Sequence, residues 1–321
     1  MQCISPIKAG WTPAGDLTFS PKNASKELVG FELECRKCLP CRLNIAREKS
    51  IRAIHEAQMH ENNIFLTLTY NEESLTSPKL QYLDFQLFMK SLRKEHTKNI
   101  TDPDLRKEMS IAYMVTGEYG DKNKRPHWHA ILFNYAPPDS KLIRTTDRGD
   151  MVYTSKTITE LWGRGSTEFG SVTLDSASYV ARYSAKKLIH GTDQEHDYHP
   201  IHKTSSKHAI GKRWIEKHWE RTFSQGNVII PSKERNIPAK IPRYYVDWLQ
   251  KNKPEEWQRY VTQKRHEIQT LAAKRARKEE LQYLTEILNQ APGRPRPHPR
   301  NKIKLTILNQ KFKILQGKLK L

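Results

Sequence analysis

Residues 111–133 read Ile111-Ala-Tyr-Met-Val-Thr-Gly-Glu118-Tyr119-Gly120-Asp-Lys-Asn-Lys-Arg125-Pro126-His127-Trp128-His129-Ala-Ile-Leu-Phe133. Two runs rich in β-branched and aromatic residues flank a charged turn marked by glycine and proline, the pattern of consecutive strands. A connection this short joins antiparallel neighbours, because a parallel pair needs a crossover of a dozen residues or more. Upstream, Ile64-Phe-Leu-Thr-Leu-Thr-Tyr70 predicts another buried strand, and residues 171–174 a fourth. Helices are expected over residues 42–61, 80–96 and 158–162. In the first of these Ile45, Ile51, Ile54 and Met59 share a face; in the second Leu83, Leu87 and Met89 to Leu92 do. Another is expected from a cap at Asp175 or Ser176 to about residue 189. Strands and helices mixed around a central hairpin indicate an α+β fold, a central antiparallel sheet flanked by helices.

The ends of the chain read differently. Residues 28–33 suggest one short strand within a Gly-, Pro- and Asn-rich start. The histidine-rich stretch 190–208 reads as a polar loop. Pro254 opens a long charged helix to about residue 290, with Trp257, Val261, Ile268, Leu271, Leu281 and Leu284 on its apolar side. Residues 291–299 are an extended Pro-rich linker. The Lys-rich close fits strand or helix equally, so the C-terminal extension is expected to be basic and mostly helical.

Charge restricts the partners. The 321 residues carry a formal charge of +20, and residues 232–321 hold 22 Lys+Arg against 8 Asp+Glu. Such a surface attracts polyanions by counterion release, nucleic acid foremost, with anionic lipid or a merely solvated face as the other readings. No run of 18 apolar residues occurs, so no spanning helix and no membrane partner are expected. The first 17 residues lack the apolar core of a secretory signal, which makes the cytoplasm the expected location.

Three constellations carry chemistry. His127 and His129 alternate with Trp128 on a strand, so both imidazoles face one side. Glu118 is the nearest acid across the hairpin. Two imidazoles and a carboxylate would suit a divalent cation, Mg²⁺ or Mn²⁺ as well as softer metals, able to draw charge from a phosphodiester. A His-x-His strand by itself is more often packing or surface. Tyr179 and Tyr183 stand i, i+4 on one helix face, with Lys186 and Lys187 a turn further on. A phenol of pKa ~10 attacks only if its proton leaves as the bond forms, which a lysine or a metal-bound phosphate would favour. Alone, this helix could equally bury two aromatics while its lysines snorkel outward. Finally, Cys35-x2-Cys38-x2-Cys41, with Cys3 as a fourth thiol, suggests a structural Zn²⁺ site, against reduced thiols or an iron–sulfur cluster.

Three blocks resemble the HUH endonuclease superfamily: Phe65 to Tyr70, then Gly117 to Phe133, then Tyr179-Val-Ala-Arg-Tyr183-Ser-Ala-Lys186-Lys187. The two-tyrosine block is similar to microvirus-type replication initiators. The cysteine cluster, Ala209 to Trp214 and Ile241 to Tyr245 resemble their gokushovirus branch. The resemblance implies a metal-dependent rolling-circle initiator that cuts single-stranded DNA at a replication origin. It implies His127, His129 and Glu118 as metal ligands, Tyr179 and Tyr183 as nucleophiles, and Lys186 or Lys187 at the scissile phosphate. It further implies a 5′-phosphotyrosine, strand rejoining, a host replication helicase and polymerase as partners, and the host bacterial cytoplasm as location. The chain would then divide into a cysteine segment (1–49), an HUH-type nuclease core (50–190), a region completing or accessory to it (191–253), a basic helix (254–290), and the linker and tail (291–321). Two other readings stay open: a non-catalytic basic nucleic-acid-binding protein, and a metallonuclease in which water attacks.

Overall fold

A computed structural model describes residues 3–14, 16–20, 22–23, 31–120, 124–147, 149–186, 201–207, 209–231, 236–290, 298 and 300–318. They fall into two compact units, residues 1–218 with 229–245, and residues 219–228 with 246–321.

The first unit begins with β1 (Ile7–Trp11), β2 (Leu17–Thr18) and β3 (Phe31–Leu33), a small antiparallel sheet with β1 in the middle. Then follow α1 (Leu39–Ala57), β4 (Asn63–Thr69), α2 (Tyr82–His96), α3 (Pro103–Glu108), β5 (Ala112–Tyr119) and β6 (Pro126–Phe133). Next come β7 (Ser140–Thr145), β8 (Met151–Ser155), α4 (Lys156–Trp162), β9 (Thr167–Gly170), α5 (Leu174–Lys186) and β10 (Ile201–Thr204). The main sheet has the order β10-β5-β6-β4-β9-β8-β7, and all six pairings are antiparallel.

Strand alternation gives this sheet two working faces. On one, Ile64, Leu66 and Leu68 of β4 join Trp128, Ala130 and Leu132 of β6. Phe85, Phe88, Met89 and Leu92 of α2 and Ile158 and Trp162 of α4 close over them. Each such large apolar side chain contributes about 1.5–3 kcal/mol when fully buried, so the two central strands form a rigid platform. Gly117 is required there, because a Cβ on it would lie 2.6 Å from the Trp128 ring. The other face buries Met114, Ile131 and Phe133. Here α5 packs against β5 and β6, and α1 packs against α5.

Several local expectations shift. The face of α2 that packs inward is Phe85, Phe88, Met89 and Leu92, whereas Leu83 and Leu87 are exposed. The fourth strand lies at Thr167–Gly170 rather than residues 171–174. Thr173, not Asp175 or Ser176, caps α5: Ser176 N donates to Thr173 Oγ1 at 3.2 Å, and Thr173 N to Ser176 Oγ at 2.8 Å. Strands β7 and β8 were not anticipated. Within the stretch read as a polar loop, Ile201–Thr204 forms β10 and pairs with β5, while residues 190–200 lie outside the described residues.

Beyond β10 the chain forms α6 (Lys212–Gln225), β11 (Val228–Ile230), β12 (Ile237–Ala239) and α7 (Arg243–Asn252). In the first unit, Trp214 and Tyr245 stack on His55 of α1. The second unit contains α8 (Pro254–Arg259), a π-helical stretch (Tyr260–Arg265), α9 (His266–Leu288) and α10 (Arg300–Lys318). Phe223 meets Tyr260 edge-on at 4.9 Å, and Lys304 pairs with Glu279. The expected apolar side of this helix is largely open, with Ile268, Leu271, Leu281 and Leu284 exposed. The Lys-rich close is helical. Residues 291–297 and 299, in the expected linker, lie outside the described residues. Among the described residues no helix is long and apolar enough to cross a membrane.

Candidate active site

Glu118 sits directly across the hairpin from His127, and Thr116 across from His129. On the other side of β6, Thr67 of β4 pairs with His129. The register therefore sets Glu118, His127, His129 and Thr67 on one face of neighbouring strands whose opposite face is locked by Trp128. Glu118 is buried, and the His127 and His129 side chains are 20% and 12% exposed. One carboxylate oxygen, Glu118 Oε1, lies 3.1 Å from His127 Nε2 and 2.9 Å from His129 Nε2.

The outer nitrogens of both rings are held. His127 Nδ1 lies 3.2 Å from the carbonyl oxygen of Arg125, to which it donates. His129 Nδ1 lies 3.0 Å from Thr67 Oγ1. Hydrogen bonds at Nδ1 leave the Nε2 lone pairs directed inward, the arrangement by which histidines present themselves to a metal. Phe65 stacks on the His129 ring, centroids 5.7 Å apart, and fixes its plane.

Electrostatics agree with this geometry. Burial alone would push the Glu118 carboxyl up, but hydrogen bonds from His127 and His129 hold it well below the usual carboxylate range. Burial holds the His129 imidazole below its ordinary value, against the pull of Glu118. An ionised carboxylate beside a neutral imidazole is the protonation state that ligates a cation. The three ligand atoms lie within 4.8 Å of one another, close enough for one ion, and a two-nitrogen, one-oxygen set accepts a range of divalent metals.

The tyrosine helix reaches this cluster. Tyr179 of α5 donates its hydroxyl to Glu118 Oε1 at 2.6 Å, and its Oη lies 3.4 Å from His129 Nε2. The Tyr179 ring stands edge-on to His129, centroids 5.0 Å apart. Ala177, Val180 and Ala181 bury the inner side of α5 and set its depth. Tyr183 and Lys186 belong to α5, but their side chains are outside the described residues, as is Lys187 entirely. Residues that the sequence reading passed over, Thr67 and Phe65, hold His129 in place.

The second expected cluster also assembles. Cys3, Cys35, Cys38 and Cys41 place their sulfurs within 4.8 Å of one another.

With this geometry in view, comparison with known proteins is informative. A family profile for the replication-associated protein ORF2 matches residues 63–188, the span from β4 to the end of α5. Along its whole length the chain is 54% identical to replication-associated protein VP4 of Bdellovibrio phage phiMH2K, over 321 residues and all of both chains. The chain belongs to the microvirus-type replication-associated proteins. Other members diverge further. Replication-associated protein ORF2 of Spiroplasma virus 4 is 31% identical over 252 residues, 75% of each chain. Replication-associated protein ORF4 of Chlamydia phage 1 is 29% identical over 227 residues, 69% of this chain and 54% of its own. No solved structure matches this replication-associated protein.

Proposed function

We propose that this replication-associated protein starts phage DNA replication by cutting single-stranded origin DNA with Tyr179 and later rejoining it. One observation carries the reading: the Tyr179 hydroxyl lies within hydrogen-bonding distance of Glu118 and His129, the acid and one imidazole of a cluster shaped for a cation. A phenol packed only for burial has no need of that position. Glu118, His127 and His129 would hold a divalent metal, Mg²⁺ or Mn²⁺, which when bound withdraws charge from a phosphate oxygen.

The protein's own residues do the rest. Tyr179 Oη attacks phosphorus, the bond from phosphorus to the 3′-oxygen breaks, and DNA remains on the enzyme as a 5′-phosphotyrosine. Glu118 Oε1 orients the phenol; because its carboxyl is so acidic it stays ionised and does not keep the phenolic proton, which passes to water. The freed 3′-oxygen takes up a proton and can prime a host polymerase, alongside a host helicase. Tyr183, one turn along α5, would make the second cut, and the 3′-hydroxyl released there would attack the first phosphotyrosine to close the circle. Lys186 or Lys187 would contact the scissile phosphate. One phosphodiester-like bond replaces another at each step, so joining needs no nucleotide cofactor. The basic C-terminal region would add contacts to the DNA backbone.

Incubating the full chain with origin-bearing single strands and Mn²⁺, followed by denaturing electrophoresis, tests this. DNA covalently bound to protein is expected. Free 5′-phosphate ends would instead mean that water attacks, and uncut DNA would mean a non-catalytic binder. Tyr179→Phe should lower adduct formation by about 100-fold or more, a loss of the nucleophile itself, leaving DNA binding within a few-fold of wild type. Undiminished adduct in that variant would remove Tyr179 from the mechanism.

A further inference from the structure

The four cysteines stand apart from the tyrosine helix and the His–Glu cluster, and nothing in the cutting reaction uses them. Cys3 precedes β1, Cys35 follows β3, Cys38 is the N-cap residue of α1, and Cys41 lies in its first turn. Cys38 makes no side-chain capping hydrogen bond, although that position usually carries a residue that does. Its sulfur instead lies 3.8 Å from that of Cys3, 35 residues away. That separation decides between the chemistries. A disulfide needs ~2.05 Å between sulfurs, so the pair is not bonded. Four sulfurs at ~2.3 Å from one tetrahedral ion stand ~3.8 Å apart, the spacing seen. A cluster of several irons and sulfides would hold its thiolates farther apart.

The backbone is also arranged for thiolates. Cys35 N points at Cys3 Sγ, and Cys38 N at Cys35 Sγ, each at 3.3 Å. Between Cys35 and Cys38, Arg36 holds φ at +60°, a left-handed turn that a residue with a Cβ adopts only at a cost. That turn brings the two sulfurs of Cys-x2-Cys to the same side. The N-terminus of α1 aims its dipole at the site, and Arg36, Lys37 and Arg42 supply positive charge in the surrounding sequence.

We propose that Cys3, Cys35, Cys38 and Cys41 bind one zinc ion that staples the small N-terminal sheet to the start of α1. All four positions are taken by protein, with none left for water or substrate, so the ion is structural. The staple has a reason to exist. The small sheet has strands of five, two and three residues, too few to bury a core of their own. Its attachment to α1 fixes the helix that packs on α5.

Metal content tests this independently of DNA cutting. Because Glu118, His127 and His129 can also take zinc, the full-length His129→Ala protein serves as background. After dialysis it should retain about one zinc per chain, the stoichiometry of a closed four-thiolate site, and titrating its thiols with a mercurial should release that zinc into a colorimetric indicator. Cobalt in place of zinc should give the sulfur-to-metal charge-transfer bands and intense visible bands of a tetrahedral tetrathiolate. Adding Cys38→Ser should lose the ion. If that variant does not fold, thiol titration and cobalt spectra of the parent still decide. Four freely reacting thiols with no metal released, one iron in place of zinc, or zinc retained after Cys38→Ser would each overturn the assignment.

Discussion

The Thr67 hydroxyl donates nothing to the chemistry directly, yet its position 3.0 Å from His129 Nδ1 sets which ring nitrogen faces Glu118. Partners of this kind typically alter metal affinity by about 10–100-fold when removed. Thr67→Val keeps the shape of the side chain and deletes the hydroxyl. The Mn²⁺ concentration for half-maximal adduct formation should rise about tenfold or more, with little change at saturating metal. An unchanged half-saturation point would mean that packing by Phe65 alone orients the ring. Glu118, His127 and His129 could be picked out of the bare sequence because a short hairpin fixes its own register and alternation fixes the face. Thr67 could not, since it meets His129 across 62 positions of chain and no local feature states the pairing of β4 with β6. Cys3 was suggested only by its residue type; its approach to Cys38 depends on the pairing of β1 with β3.

At the level of elements, three helices of the first unit meet in a stack of rings. His55 of α1 lies 3.6 Å from the Trp214 ring of α6, centroid to centroid, with Tyr245 of α7 on the same array. His55 Nε2 lies 3.4 Å from the Ile229 carbonyl and Nδ1 2.9 Å from the Tyr245 hydroxyl. A neutral ring satisfies both, donating to the carbonyl and accepting from the phenol. Burial accordingly pushes the imidazole down to about 4. The unfolded chain takes up this proton near pH ~6.5. The stabilisation is therefore complete above that pH and is lost as pH falls toward 4, amounting to about 3 kcal/mol when fully lost. His55→Gln should be less stable at neutral pH but should lose less on acidification, as urea midpoints from about pH 7 down to about pH 4 would show. Parallel curves for the two proteins would mean that other groups carry the acid sensitivity. Elements differed in how readable they were for a physical reason. β4, β5 and β6 are buried on at least one face and carry β-branched and aromatic runs. β7 is an edge strand, Ser-Lys-Leu-Ile-Arg-Thr, exposed at every position, so no burial pattern marks it. On α2, Leu83 and Leu87 are as apolar as Leu92, and only packing against Trp128 selects the face with Phe85. The closing helix α10 has lysines and aliphatics intermingled around its circumference, which left strand and helix equally open.

Across the whole molecule, charge and precision are distributed unequally. The sheet and its flanking helices place a few buried groups within hydrogen-bonding distance of one another, whereas the C-terminal region offers mainly exposed lysines and arginines on α9 and α10. These are suited to different tasks: the first to one phosphate, the second to many. Residues 291–321 contain nine Lys+Arg and no Asp or Glu. Each of these that meets a phosphate of a single strand releases counterions and steepens the dependence of log affinity on log salt by about 0.7. A chain ending at Gln290 should thus bind single-stranded DNA more weakly at low salt and with a shallower slope, and its affinity should converge with that of the full chain as salt rises. Cutting of a saturating short origin strand should persist, because Glu118, His127, His129 and Tyr179 are untouched. Fluorescence anisotropy across a salt series measures the slope directly. Identical slopes for the two chains would mean that the tail's charge is turned away from DNA and that the positive groups of residues 1–290 account for the attraction.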